Sequence, residues 1–186
     1  MLGAVVLSPE TLEPIINEMS KKYGIEPAWI KAHIKAESNW DVNASRFEAH
    51  KGDASWGLMQ LLLVTAREVL GNPNLTTTQL IQPRVNIEAG VKFLYQLWSR
   101  FGNMRAAIAA YNAGSPRLVP GTTKYVNQDY VDKVENNYKL YKSLGTTAGN
   151  VVINIEEAVT SPESIPIYAL LGLGAVGLIV MSKSGA

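Results

Sequence analysis

A chain of 186 residues has room for one well-packed domain of about 140–150 residues and a tail. Its net charge of +1, with no run of lysine or arginine, excludes a general electrostatic pull toward nucleic acid. The lack of cysteine excludes a disulfide framework and a thiol nucleophile, and His33 and His50, with no His-Glu-x-x-His pattern, argue against a metal or other cofactor.

Met1 to Leu7 has no basic flank and no small-residue cleavage site, so no secretion signal is expected. Ser8-Pro9 reads as an N-cap with proline at the first helical position, and that helix should run to about Lys22 before Gly24. Pro27 opens the next helix. Ile30, Ile34 and Glu37 follow at helical spacing, so Glu37 continues a stripe that points into the core or a cleft. A lone glutamate on a helix is ordinarily solvated. In register with an apolar face, its charged form is disfavoured and it can keep a proton near neutral pH, as a general acid must. His33, on the same helix, is read as packed or hydrogen-bonded locally.

Asn39 to Ser55 is a long connection expected to form one wall of the cleft. Leu58 to Leu70 is predicted helical, with Gly71-Asn72-Pro73 as its stop, and Thr76 to Gln79 suggests a short capped turn. Pro83 opens the strongest amphipathic segment, with Ile87, Val91, Leu94, Trp98 and Phe101 on one face and Gly102 at its end. Asn103 caps a helix of small residues, Ala106 to Ala110, suited to close packing beneath a site. The last domain helix is predicted from about Asp129 to Leu144, with Val131, Val134, Tyr138 and Tyr141 on one face and Gly145 as its stop. The reading is an all-α domain over residues 8–144.

Residues 145–164 read as a linker, with Val151 to Ile155 able to form an extended piece. Residues 165–181 form a run of 17 without a charge. As a helix this spans about 25 Å, enough to suggest a transmembrane or membrane-associated segment, with Tyr168 and Lys183 at the interfaces. Gly172 to Gly177 matches Gly-x-Gly-x-x-Gly only formally, because too few residues follow for a βαβ unit.

The pair Glu37-Ser38, the turn Gly57-Leu58-Met59-Gln60, the segment Ala109-Ala110-Tyr111-Asn112-Ala113-Gly114 and Tyr130-Val131 occur in an order that resembles the soluble lytic transglycosylase family, related to goose-type lysozyme. The resemblance covers roughly residues 10 to 144. It implies a lysozyme-like helical fold in which Glu37 is the sole catalytic carboxylate. It also implies a glycan cleft lined by Ser38, Gly57, Met59, Gln60, Tyr111, Asn112 and Tyr130. Each has an ordinary reading beside this one: Gly57 as a turn residue, Met59 as core filler, and Asn112 with Gly114 as a helix stop.

The substrate implied is peptidoglycan, cleaved between N-acetylmuramic acid and N-acetylglucosamine to leave 1,6-anhydro ends. An apolar tail without an export signal suggests delivery by another agent: a phage particle, or an envelope-spanning secretion or conjugation apparatus whose proteins become partners. The expected location is a virion or the cell-envelope membrane, with action on the wall. Two alternatives remain at this point. One is a lysozyme-type hydrolase using Asp53 or Glu48 as a second carboxylate. The other is an inactive wall-binding or channel component of a virion.

Overall fold

The computed structural model describes residues 4–49 and 52–160. The chain divides into two units, Met1–Gly145 and Thr146–Ala186, and the site lies in the first.

Helix α1 (Pro9–Tyr23) starts where the Ser8 side chain accepts from the Thr11 amide, and it ends at Gly24, whose φ of 70° lets the chain turn away. Helix α2 (Pro27–Glu37) buries Ile30, His33 and Ile34 along one face and ends on Glu37. Both helices follow their sequence signals.

The next segment corrects the all-α reading. Strands β1 (Ser45–Glu48), β2 (Asp53–Trp56) and β3 (Leu61–Leu62) form an antiparallel sheet in that order, with Arg46 opposite Ser55 and Trp56 opposite Leu61. The long connection is thus largely a hairpin, and helix α3 (Leu63–Leu70) begins five residues later than the expected Leu58. Gly57 at φ 76° and Gln60 at φ 46° reverse the chain, returning Leu61-Leu62 to pair with β2 before a helix can start.

Helix α4 (Thr77–Leu80) carries a reciprocal cap between Thr76 and Gln79. Helix α5 (Pro83–Phe101) is the scaffold, with Ile87, Val91 and Leu94 fully buried as the stripe predicts. Beyond Leu94 the core lies under the i+3 position: Leu97 is buried, while the indole of Trp98 stands at the rim, 37% exposed. Helix α6 (Met104–Ala113) is capped by Asn103, and Ala107, Ile108, Ala109 and Ala110 are all buried.

Helix α7 (Gln128–Thr160) passes Gly145, where a stop, a linker and an extended piece were expected. Gly145 is not among the positive-φ glycines, so no left-handed cap forms there. Gly145 and Gly149 each cost a helix only about 1 kcal/mol, and no proline interrupts the chain between Pro120 and Pro162. Val131 and Val134 of α7 pack on Ile108 and on Ala32, Ala36 and Ala109, and the small side chains of the three alanines let α7 lie close to α2 and α6. Among the described residues, no helix is long and apolar enough to cross a membrane. His50 and the apolar run 165–181 lie outside the described residues.

One buried polar side chain ties the sheet to the scaffold. Asn86 of α5, fully buried, accepts from the Met59 amide at 2.7 Å and donates to the carbonyls of Trp56 at 2.9 Å and Leu80 at 3.1 Å. A Cβ on Gly57 would lie 2.4 Å from the Asn86 amide nitrogen, so glycine is required there by both space and backbone angle. Asn86→Leu takes the partner from two buried backbone groups and one half-buried one, and should cost about 3 kcal/mol. Gly57→Ala should also destabilise, by displacing the same amide. Urea denaturation checks both, and a loss under about 1 kcal/mol for Asn86→Leu would contradict this account.

Candidate active site

Glu37 is the last residue of α2, and the chain leaves it by an abrupt reversal. Asn39 and Trp40 both adopt left-handed backbone, at φ 52° and 71°, although neither is glycine. Trp40 holds that reversal because its ring is buried and its indole N–H donates to the Tyr141 hydroxyl at 3.1 Å. Ser38 donates its hydroxyl to the Ile34 carbonyl at 3.2 Å, closing the helix rather than facing the cleft.

Around Glu37 is a cavity of about 270 Å³, whose walls come from four sources. Arg46, Glu48 and Ser55 come from the hairpin, Gln60 and Leu62 from the turn and β3, and Tyr111 and Asn112 from the end of α6. A larger depression of about 420 Å³, at Arg105, Lys124 and Asp132, shares no residue with it and mixes both signs of charge.

Burial dominates the chemistry of Glu37. Desolvation raises its pKa to about 7 from an ordinary 4.5, against a hydrogen bond from Tyr130 and the positive charges of Arg46 and Lys133, which favour the carboxylate. The Tyr130 hydroxyl donates to Glu37 Oε1 at 2.5 Å, and the Lys133 ammonium donates to the Ala36 carbonyl at 2.5 Å beside it. Both residues come from the first turns of α7. Desolvation and the nearby Glu37 charge hold the pKa of Tyr130 and Tyr111, both half-buried, well above the ordinary tyrosine value. Each therefore stays protonated and able to donate.

The site residues named from the sequence fall into two groups. Glu37, Gln60, Tyr111 and Asn112 line the cavity, and Tyr130 reaches it through Glu37. Ser38, Gly57 and Met59 do not line it. Met59 is fully buried against Gly90, and Gly57 is approached by Asn86 rather than open to a ligand. The polar groups of Tyr111 and Gln60 are engaged within the protein. The Tyr111 hydroxyl donates to the Met59 carbonyl at 2.9 Å, so its ring, not its hydroxyl, is presented. The Gln60 amide donates to the carbonyls of Ala44 and Gly57 and accepts from Ser55, which locks the turn to the hairpin.

Of the two candidate second carboxylates, only Glu48 lines the cavity. It accepts from Arg46 Nε at 2.9 Å and its charge raises the Glu37 pKa. Asp53 instead accepts from the Ala54 amide at 2.7 Å, outside the cavity. His33 packs edge-on to Tyr111 at 5.3 Å, with Nδ1 bonded to the Trp29 carbonyl at 2.9 Å. Full burial lowers its pKa to about 4. Arg46, Ser55 and Lys133 carry no motif of their own. The alternation of β1 was the signal for Arg46, which shares one strand face with Glu48 while Phe47 is exposed on the other.

The profile of the family described as "Transglycosylase SLT domain" matches residues 14–131. Among curated proteins, the chain is 26% identical over 125 residues to a transglycosylase of Enterobacteria phage PRD1, covering 67% of this chain and 42% of that protein. It is 27% identical over 169 residues to membrane-bound lytic murein transglycosylase C of Haemophilus influenzae, covering 78% of this chain and 44% of that one. Among solved structures, an inactive mutant of the lytic transglycosylase Slt from Pseudomonas aeruginosa superposes with a TM-score of 0.53 at 31% identity, over 70% of this chain and 22% of that one. The chain thus spans less than half the length of these curated relatives.

The raised pKa has a measurable consequence for stability. Folded Glu37 holds its proton to a higher pH than the unfolded residue, so its contribution to stability falls as pH rises from about 4.5 to about 7. Glu37→Gln removes this penalty. The variant should be more stable than the parent at pH 8, by up to about 3 kcal/mol, and should gain nothing at pH 4. Urea denaturation at the two pH values reads the difference, and an equal effect at both would contradict the assignment.

Proposed function

The chain belongs to the transglycosylase SLT domain family, and on that premise we propose that it cleaves the β-1,4 bond between N-acetylmuramic acid and N-acetylglucosamine in peptidoglycan, leaving 1,6-anhydro ends. The observation that carries this reading is a half-buried carboxyl, Glu37, that lines a polar cleft and is desolvated enough to keep its proton to about pH 7.

Protonated Glu37 donates to the glycosidic oxygen as the C1–O bond breaks and positive charge develops on the sugar ring. The leaving sugar departs with that proton. The resulting carboxylate then takes the proton of the C6 hydroxyl on the same muramic residue, and O6 closes onto C1. Glu37 is thereby reprotonated and no water is consumed. One carboxylate suffices because the substrate supplies its own nucleophile, already held near the reacting carbon. The Tyr130 hydroxyl occupies Oε1, which leaves Oε2 for the glycosidic oxygen. Arg46 and Lys133 ease the carboxylate stage, since their charge stabilises the anion left after donation.

Glu48 supports a second reading. Because it shares the cavity with Glu37, it is placed to activate water, which makes the enzyme a hydrolase of the same bond. Arg46 holds its Oε1 by a hydrogen bond of 2.9 Å. The likeness to a phage PRD1 transglycosylase supports a role in local wall opening by a phage particle, with virion proteins as partners. The apolar composition of residues 165–181 supports membrane contact during that step.

Muropeptide mass spectrometry of purified cell walls treated with the full chain distinguishes the two reactions. The expected products carry anhydro ends, lighter by one water than reducing ends, and are absent with Glu37→Gln. Activity should fall as pH rises above about 7, where Glu37 loses its proton. Reducing ends that disappear with Glu48→Gln would instead establish the hydrolase.

A further inference from the structure

Asn112 faces the cleft from the last turn of α6, and what it recognises depends on which end of its amide is presented. The oxygen accepts and the nitrogen donates. A side chain outside the cavity decides between them. Asn127, immediately before α7, donates Nδ2 to the Ala109 carbonyl at 3.0 Å and to Asn112 Oδ1 at 3.0 Å. A backbone carbonyl only accepts, so the end of Asn127 that meets it must be nitrogen. The same nitrogen reaches Asn112, so the atom it meets there must be the oxygen.

Asn127 Oδ1 is buried and has no partner among the described residues, which is the cost of this arrangement. Turning the amide over would set that oxygen against the Ala109 carbonyl and relieve nothing. With Oδ1 held by Asn127, the end of the Asn112 amide that bonds to nothing among the described residues is Nδ2. Asn127 also starts the helix that carries Tyr130, because its carbonyl accepts from the Tyr130 and Val131 amides at 3.0 and 3.2 Å. One residue therefore sets both the polarity of Asn112 and the start of the helix whose tyrosine holds Glu37.

A fixed N–H donor matters most for a partner that can only accept. Sugar hydroxyls donate and accept, so they pair with either end of an amide, whereas an acetamido carbonyl oxygen pairs only with the nitrogen. We propose that Asn127 is a positioning residue that holds the Asn112 nitrogen outward as a donor to the acetamido carbonyl of a sugar in the cleft. The pair thereby favours N-acetylated over de-N-acetylated glycan. This rests on the glycan-cleaving reading above.

The test measures kcat and KM of the full chain on N-acetylated glycan strands and on the same strands after chemical de-N-acetylation. Wild type should prefer the acetylated strands. In Asn112→Asp a carboxylate oxygen still accepts from Asn127, but oxygen replaces nitrogen on the cleft side. KM for acetylated strands should rise about tenfold, the equivalent of one neutral hydrogen bond, and the preference should collapse. Asn127→Ala unpins the amide and should weaken the preference while moving KM more than kcat. Comparing the two strands at one pH cancels any effect of the new charge on Glu37.

If wild type cleaves neither strand, the glycan-cleaving reading itself fails. If it cleaves both equally, or if Asn112→Asp keeps the wild-type preference, the positioning role fails and cleavage stands. Equal losses on both strands in Asn127→Ala would make Asn127 merely structural. Should circular dichroism show Asn127→Ala unfolded, Asn112→Asp decides alone.

Discussion

The cleft depends on a buried amide that touches no ligand. Asn86 gathers one backbone donor and two backbone acceptors from the segments around it, and so fixes the turn from Trp56 to Gln60 against α5. The consequences pass outward by contact. The turn presents the Met59 carbonyl to the Tyr111 hydroxyl, which holds that ring at the cavity wall. It places Gln60 to lock onto the hairpin, and the hairpin brings Arg46 and Glu48 up to Glu37. A polar group in an apolar interior is costly unless every bond is made, and here the bonds are made to main chain, which fixes geometry more firmly than side chains do.

The opposite wall is built from small residues instead of polar ones. Ala32, Ala36 and Ala109 leave room for α7 to approach, and that approach delivers Tyr130 and Lys133 to the end of α2. Glu37 therefore sits between a wall fixed by hydrogen bonds and a wall fixed by packing. Neither wall brings enough opposing charge to overcome its desolvation.

Much of this is legible in the sequence, for reasons that differ by residue. Glu37 shows through periodicity, because a glutamate in step with Ile30 and Ile34 has little choice of direction. Caps at Ser8, Gly24, Asn103 and Gly114 are local chemistry and fall where local signals place them. The hairpin was obscured because its strands are short and polar, so their alternation did not stand out from loop composition. The motif turns marked the right segments but not which atoms face the cavity: Met59 and Gly57 belong to its support, and Tyr111 offers a ring where a hydroxyl was equally conceivable. Asn86 and Asn127 stayed hidden because their roles are pairwise over 27 and 15 residues of chain, which no local pattern encodes.

Full burial of His33 and the desolvation of half-buried Glu37 have a joint consequence for where protons reside. Between about pH 4.5 and 6.5 the unfolded chain carries an imidazolium at residue 33 and a carboxylate at residue 37. In the folded state both side chains are neutral over the same range. Folding gives up one proton at the histidine and takes up one at the glutamate, so their opposite pH slopes cancel. In effect these two positions exchange an exposed pair of opposite charges for two uncharged side chains. At these two positions, one helical turn apart, proton uptake by the acid in the cleft is balanced by release from the histidine in the core.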